Sequence, residues 1–237
     1  MSRTKTVGVI GGMGPAATAD FFHRLVAQTD AARDQDHLHV VIDSDPAIPD
    51  RTLALVGDGP SPVPDLVRIA RRLEAMGADL LVMPCNTAHA FASDVARAVA
   101  IPLVSWVAEA VAHVSAFQPR PARAGVVATT GTIASGVYQL ALREAGIEAL
   151  VPSDDEQTAV MTAVYGLKGG DPVQPAVAHA VSSLAARGAD VVLLACTELP
   201  WVDLGGTEVP VVDPADVVAR RVVALAGGIL RRSAAAA

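Results

Sequence analysis

Short aliphatic runs alternate along this chain with longer stretches whose apolar positions recur at helical spacing. The aliphatic runs fall at residues 6–10, 39–43, 80–83, 103–105, 124–128, 191–195 and 209–212. A few consecutive apolar residues bounded by turn formers read as a buried strand, because a helix needs a longer segment to bury one face. Helical spacing covers residues 16–31, 64–75, 87–99, 133–145, 155–165, 175–186 and 215–230. LVRIARRLEAM at 66–76 is a clear case. Strands that are apolar on both faces require helices on both sides of a parallel sheet. The pattern therefore predicts an α/β fold built on open parallel sheets.

The pattern also repeats. GADLLVMPCNT at 77–87 answers GADVVLLACTE at 188–198, and each copy carries one of the two cysteines, Cys85 and Cys196. GVIGG at 8–12 answers GVVAT at 125–129, and IPLVSWVAEA at 101–110 answers VPVVDPADVV at 209–218. The three landmarks recur in order at offsets of 117, 111 and 108. Chance similarity between two generic strand–helix units would account for one such landmark, because Gly-Ala-Asp before a strand is common, but three in order favour duplication. Internal duplication changes the fold expected. It implies two pseudo-symmetric α/β domains. PRP at 119–121 is the best turn between the halves, and the last strand and helix resemble the end of the first half. The chain is thus expected to cross back, with residues 1–105 plus 212–237 forming the first domain and 106–211 the second.

Composition narrows the function. The 237 residues are 51% hydrophobic but only 3% aromatic, so the core must be Ala, Val and Leu. A net charge of -7 with no basic stripe argues against a nucleic-acid partner. No apolar segment is long enough to span a membrane. The N-terminal apolar run is too short for a signal peptide. Two cysteines in separate repeats fit reduced thiols in a cytoplasmic protein better than a secreted disulfide framework. The alanine-rich tail at 233–237 reads as frayed. Among 18 basic residues only Lys5 and Lys168 are lysines. Pyridoxal phosphate enzymes need a Schiff-base lysine, and no phosphate-binding pattern accompanies Lys168. A reaction without pyridoxal phosphate, nicotinamide or metal is expected.

Each cysteine sits at a predicted strand C-terminus, where open α/β sheets bind ligands. Such a cysteine is often only a small buried hydrophobe. Here polar neighbours follow both, Asn86 and Thr87 in one copy, Thr197 and Glu198 in the other. A helix N-terminus next to a thiol lowers its pKa from about 8.5. Cys85 and His89, four apart, are a weak zinc alternative without any C-x-x-C. GGMGPAA at 11–17 satisfies a loose dinucleotide fingerprint, with Asp43 ending the next strand. That reading leaves the paired cysteines unexplained, and a donor-rich loop framing a small anion is the other use of such glycines. DSDPAIPDRT at 43–52 reads as an extended loop. In it Arg51 either forks onto a ligand carboxylate or pairs with Asp50 at the surface. TTGT at 129–132 reads as a hydroxyl-rich turn opening a helix, in the second copy of the N-terminal loop. YGLKGG at 165–170 reads as a glycine-flanked loop that places Lys168 on a lid or on a plain surface loop.

Taken together, GGMGP (11–15), DQDH (34–37), IPDRT (48–52), PCNTAH (84–89), TTGT (129–132), YGLK (165–168) and CTE (196–198) resemble the cofactor-independent aspartate/glutamate racemases, in family order across nearly the whole chain. The resemblance implies two similar α/β domains with the active site in the cleft between them, an amino-acid substrate, and often a homodimer. It implies that Cys196 takes the proton from the L-enantiomer and Cys85 from the D-enantiomer. It also implies that Met13, Arg51, Asn86, Thr87, Thr130, Lys168 and Thr197 line the ligand site. Asp45 departs from the pattern: many aspartate racemases have Asn there. Its charge opposes an acidic side chain unless it pairs with Arg51 or points away.

The expected reaction is racemisation of an acidic amino acid by two thiols. One takes the Cα proton while the other donates to the opposite face, and fixed geometry replaces a second encounter. The carbanion is enolate-like, so N–H groups and hydroxyls near the cysteines receive the growing charge. His89 and Glu198 are candidates to tune the thiols, although His89 could equally pack one turn into its helix. Two other classes stay open: a non-catalytic carboxylate-binding protein, and a two-cysteine isomerase or decarboxylase that uses one thiol as a nucleophile.

Overall fold

The structure, a computed structural model, describes residues 4–171 and 175–232; the tail at 233–237 lies outside these. In chain order the elements of the first half are β1 (Val7–Gly11), α1 (Pro15–Gln28), β2 (Val40–Ser44), α2 (Arg51–Val56), α3 (Val63–Ala75), β3 (Leu80–Val82) and α4 (Ala92–Arg97). Then come α5 (Trp106–Ser115), β4 (Arg123–Ala128), α6 (Thr130–Ser135), α7 (Val137–Glu144), β5 (Glu148–Leu150) and α8 (Asp154–Gly169). The chain continues through α9 (Pro175–Ala186), β6 (Val191–Ala195), β7 (Val211–Val212) and α10 (Pro214–Leu225). Two 3-10 turns, Thr87–Phe91 and Leu199–Trp201, follow the cysteines.

The strands form two parallel sheets, ordered β2-β1-β3 and β5-β4-β6-β7. They match strand for strand. β1 corresponds to β4, β2 to β5 and β3 to β6. Leu103 bridges Leu81 where β7 pairs with β6, so the strand expected at 103–105 is a single bridge. Alternation along each strand feeds two layers. Val7 and Val9 pack with Phe21 and Leu25 of α1 and with Val218 and Val222 of α10. Ile10 and Leu81 face Leu66, Ile69 and Leu73 of α3. In the second sheet Val192 and Leu194 face Val160 and Val164 of α8 and Val181 and Leu184 of α9. Val126 and Leu193 face Val111 of α5 and Tyr138 and Leu142 of α7.

Several elements differ from expectation. The helix foreseen at 87–99 begins as a 3-10 turn and only then becomes α4. The helix foreseen at 133–145 starts earlier and breaks at Gly136, whose φ of 70° requires a left-handed residue. YGLKGG is not a loop. A capping box between Ser153 and Glu156 opens α8, and the buried face of Val160, Ala163, Val164 and Leu167 carries the helix through Gly166 to Gly169. Lys168 therefore stands in the last turn of a helix, not on a lid. Nor is 43–52 all extended: α2 begins at Arg51, capped by Asp50.

Candidate active site

Both cysteines are buried at the C-terminal ends of their sheets, 6% and 5% exposed, and both line one cavity of about 380 Å³ counted to its open mouth. Met13, Arg51, Asn86 and Thr87 line it from the first half. Lys168, Thr197 and Glu198 line it from the second. Thr130 does not. Its hydroxyl receives Gln157 Nε2 at 3.2 Å and its N–H points to Met161 Sδ; Thr129 lines the cavity instead. Because Thr129 is the N-cap of α6, the cap residue rather than the first helical residue faces inward.

Cys85 sits in a tight turn. Its N–H donates to Met83 O at 2.8 Å, and the 3-10 turn that follows folds His89 back beneath it. His89 Nε2 accepts the Trp106 N–H at 3.1 Å, so Nδ1 carries the hydrogen donated to Cys85 O at 2.9 Å. With both ring nitrogens engaged by backbone, His89 has none left for a metal beside Cys85, and it does not touch the thiol. Among the described residues no group of three or more His, Cys, Asp or Glu is arranged to hold a metal ion. Burial pushes the His89 pKa down to about 4, against the opposing carbonyl bonds. The unfolded chain then takes up this proton first as pH falls. The stability tied to neutral His89 is complete above the ordinary 6.5 and is lost toward pH 4. The loss is on the order of 3 kcal/mol. Urea midpoints at about pH 7 and about pH 4.5 should fall less in His89→Gln, which does not titrate, than in the parent protein. Equal falls would contradict the assignment.

Cys196 has a different environment. Its Sγ donates to Glu198 Oε2 at 3.2 Å, and Thr197 Oγ1 donates to the same oxygen at 2.9 Å. Glu198 Oε1 pairs with Lys168 Nζ at 2.9 Å. Burial and then Glu198 push the Cys196 thiol well up, with Lys168 opposing. The thiol-lowering helix terminus expected here is replaced by a three-residue 3-10 turn, too short to gather such a field. Burial works against the Lys168 ammonium, but Glu198, with the charge the cysteines carry when they are thiolates, raises its pKa. A buried thiol donating to a carboxylate that is itself held by an ammonium has a proton acceptor in place.

Arg51 is not paired with Asp50. Asp50 Oδ1 accepts the Thr52 and Leu53 N–H groups at 2.7 and 3.0 Å, capping α2. Arg51 Nη1 donates to the carbonyls of Ile48 and Pro49, and its buried Nε has no partner among the described residues. Lys168 being neutralised by Glu198, Arg51 is the lining cation with no ion pair among the described residues. Asp45 lies outside the lining. It pairs with Arg68 at 2.8 Å, and the Arg68 guanidinium with the Ala47 N–H holds its carboxyl below the usual range. Its charge is thus turned away from the cavity.

Within the glycine loop, Gly12 serves packing. A Cβ on Gly12, at φ 95°, would stand 2.3 Å from Asp45 O, and the Gly12 N–H already donates to Thr18 Oγ1 at 2.9 Å. Glycine is needed there for the approach of Asp45, not of a phosphate, and that N–H is not free to hold an anion. Across the halves the hydroxyls of Thr87, Thr129 and Thr132 lie 2.8–3.0 Å apart in a buried triangle. A Cβ on Gly131 would come within 2.8 Å of Thr52 Cα, so α2 and α6 meet almost backbone to backbone.

A family model described as Asp/Glu/hydantoin racemase matches residues 10–222. The broad specificity amino-acid racemase RacX of Bacillus subtilis (strain 168) is 29% identical over 227 residues, covering 92% of this chain and 96% of that protein. The glutamate racemase of Corynebacterium kroppenstedtii is 33% identical over 162 residues, 64% of this chain and 56% of that protein. Among solved structures, Picrophilus torridus aspartate racemase aligns with a TM-score of 0.84 at 30% identity, covering 96% of each chain.

Proposed function

The chain belongs to the Asp/Glu/hydantoin racemase family and is an amino-acid racemase, and we propose that it interconverts the enantiomers of a short acidic amino acid, aspartate before glutamate, without a cofactor. Cys85 and Cys196 are the two acid–bases of this reading, one from each of the domains 1–105 plus 212–237 and 106–211. The observation that carries it is one cavity lined by both buried thiols and by an arginine with no ion pair among the described residues.

In the L-to-D direction the Cys196 thiolate takes the Cα proton. The C–H electron pair moves into the carboxylate as an enediolate, and Cys85 delivers its proton to the opposite face. The D-to-L direction reverses these roles. Glu198, lying behind Cys196, receives the thiol proton when that group must start as thiolate. The Asn86 amide is the neighbouring donor for the enediolate, because Thr197 Oγ1 already gives its hydrogen to Glu198 and the Thr87 hydroxyl is held in the threonine triangle. One such donor typically contributes about 3–4 kcal/mol to the transition state. Arg51 faces the side-chain carboxylate.

A second reading is a wider substrate range. Asp50 also lines the cavity, which tempers the pull of Arg51 on an anion, and the Bacillus subtilis relative is named for broad specificity. One experiment separates the readings. The protein is incubated with each L-amino acid in D2O, and Cα exchange and chirality are followed together. Aspartate should exchange and racemise fastest. Fast exchange of neutral or basic amino acids would overturn the acidic preference alone. Binding without exchange would leave a carboxylate-binding protein, and loss of carbon dioxide a decarboxylase.

A further inference from the structure

Asn86 directly follows Cys85, is 2% exposed, and lines the cavity. The two ends of its amide are treated differently. Oδ1 accepts the phenolic hydrogen of Tyr138 at 2.5 Å, while the buried Nδ2 has no partner among the described residues. Tyr138 is fully buried on α7, packed with Val111, Leu142 and Leu193, and is not part of the cavity lining. The amide is therefore gripped by its oxygen from the protein side and left with an open donor. We propose that Tyr138 is a positioning residue that fixes the Asn86 amide with Nδ2 toward the cavity, where it donates to the substrate carboxylate as that group gains charge. This rests on the racemase reading above.

The chemistry enforces one orientation. A carboxamide is acceptor at one end and donor at the other. Burial, then the charge of Asp213, keeps the phenol in its protonated form, so the hydroxyl always has a hydrogen to give. Turning the amide over sets Nδ2 against that hydroxyl and leaves the buried phenolic hydrogen without an acceptor. It also presents a carbonyl oxygen to an anionic substrate. The grip comes from α7 of the second sheet, whereas Asn86 sits at the end of the first. The donor is thus oriented only when the two halves are together.

The test is a double-mutant cycle on the intact chain. Tyr138→Phe keeps the ring in the core and removes only the hydroxyl. It should lower kcat roughly tenfold with little change in KM, because the donor matters most in the transition state. Asn86→Ala should lower kcat by roughly a hundredfold. Adding Tyr138→Phe to Asn86→Ala should change kcat by less than about twofold. An unchanged kcat in Tyr138→Phe overturns the proposal, as does an equal loss in both backgrounds, which would mean Tyr138 acts through packing. A second measurement needs no variant to be active. In 15N-labelled parent protein the Asn86 side-chain NH2 signals, identified by their loss in Asn86→Ala, should shift on titration with succinate. No shift at any succinate concentration overturns the proposal. A parent protein that turns over no amino acid defeats the racemase reading instead, and the amide signals still decide this one.

Discussion

Replacing either Cys85 or Cys196 by alanine is expected to lower racemisation by roughly 10⁴-fold, the upper end of what one positioned proton-transfer group contributes. The reason is that neither face has a substitute. Both nitrogens of His89 are held by backbone, so His89 cannot stand in as a base behind Cys85. Glu198 is engaged by Lys168, Thr197 and the Cys196 thiol itself. Serine in either place should also be very slow, because a hydroxyl is a far weaker acid than a thiol. The loss is specific in form: a variant lacking one thiol should still exchange the Cα hydrogen of one enantiomer while failing to invert it. Chiral chromatography and proton exchange in D2O, read on the same samples, separate the two. An alanine variant that racemises at near the parent rate would remove that cysteine from the mechanism.

Arg51→Ala should reduce kcat/KM for aspartate by tens- to thousands-fold, the equivalent of about 2–5 kcal/mol for one partner of a desolvated charge pair. Arg51 makes no ion pair among the described residues, so its charge is available to a ligand. The same substitution removes its hydrogen bonds to Ile48 O and Pro49 O, which steady the turn before α2. Alanine and asparagine serve as controls: their turnover, if present, should change far less than that of aspartate. Equal losses for charged and neutral side chains would assign Arg51 to loop structure. Lys168 does not offer an equivalent test. Its removal leaves the Glu198 carboxylate buried without its cation beside Cys196, which disturbs the reaction with any substrate.

The parts of this site that were readable in the sequence are those fixed by duplication and strand chemistry. Cys85 and Cys196 end equivalent strands because a buried aliphatic run followed by polar residues has one reading. The missed elements had weaker signals. β5 is three half-buried residues at a sheet edge, with Glu148 in it, and carries no apolar run. α5 is apolar around most of its circumference because it lies between α10 and α7, so helical period was masked; the Ser105 N-cap was the available clue. Lys168 was misplaced because Gly166 and Gly169 resemble loop residues, although the burial of Val160, Ala163, Val164 and Leu167 holds the helix through them. Tyr138 had no sequence signal at all. An aromatic on the apolar face of a helix looks like core, and here it is core except for one oxygen. The sense in which Arg51 and Lys168 differ was also invisible, since it depends on Glu198 meeting one and not the other.

The two thiols are chemically unlike: Cys196 hydrogen-bonds a carboxylate, whereas no such bond to Cys85 is present among the described residues. This cannot make the protein a one-way catalyst. Mirror-image substrates have the same free energy in water, so the Haldane relation forces equal kcat/KM in the two directions, whatever Glu198 does for one thiol. What the inequality can bias is the resting population. In the two-thiol reaction proposed above, each inversion reverses the proton inventory of the pair, and the free protein must reset before accepting the same enantiomer again. With Glu198 beside only one thiol, the two resting forms have unequal abundance. At high substrate that reset enters kcat alongside cleavage of the Cα–H bond.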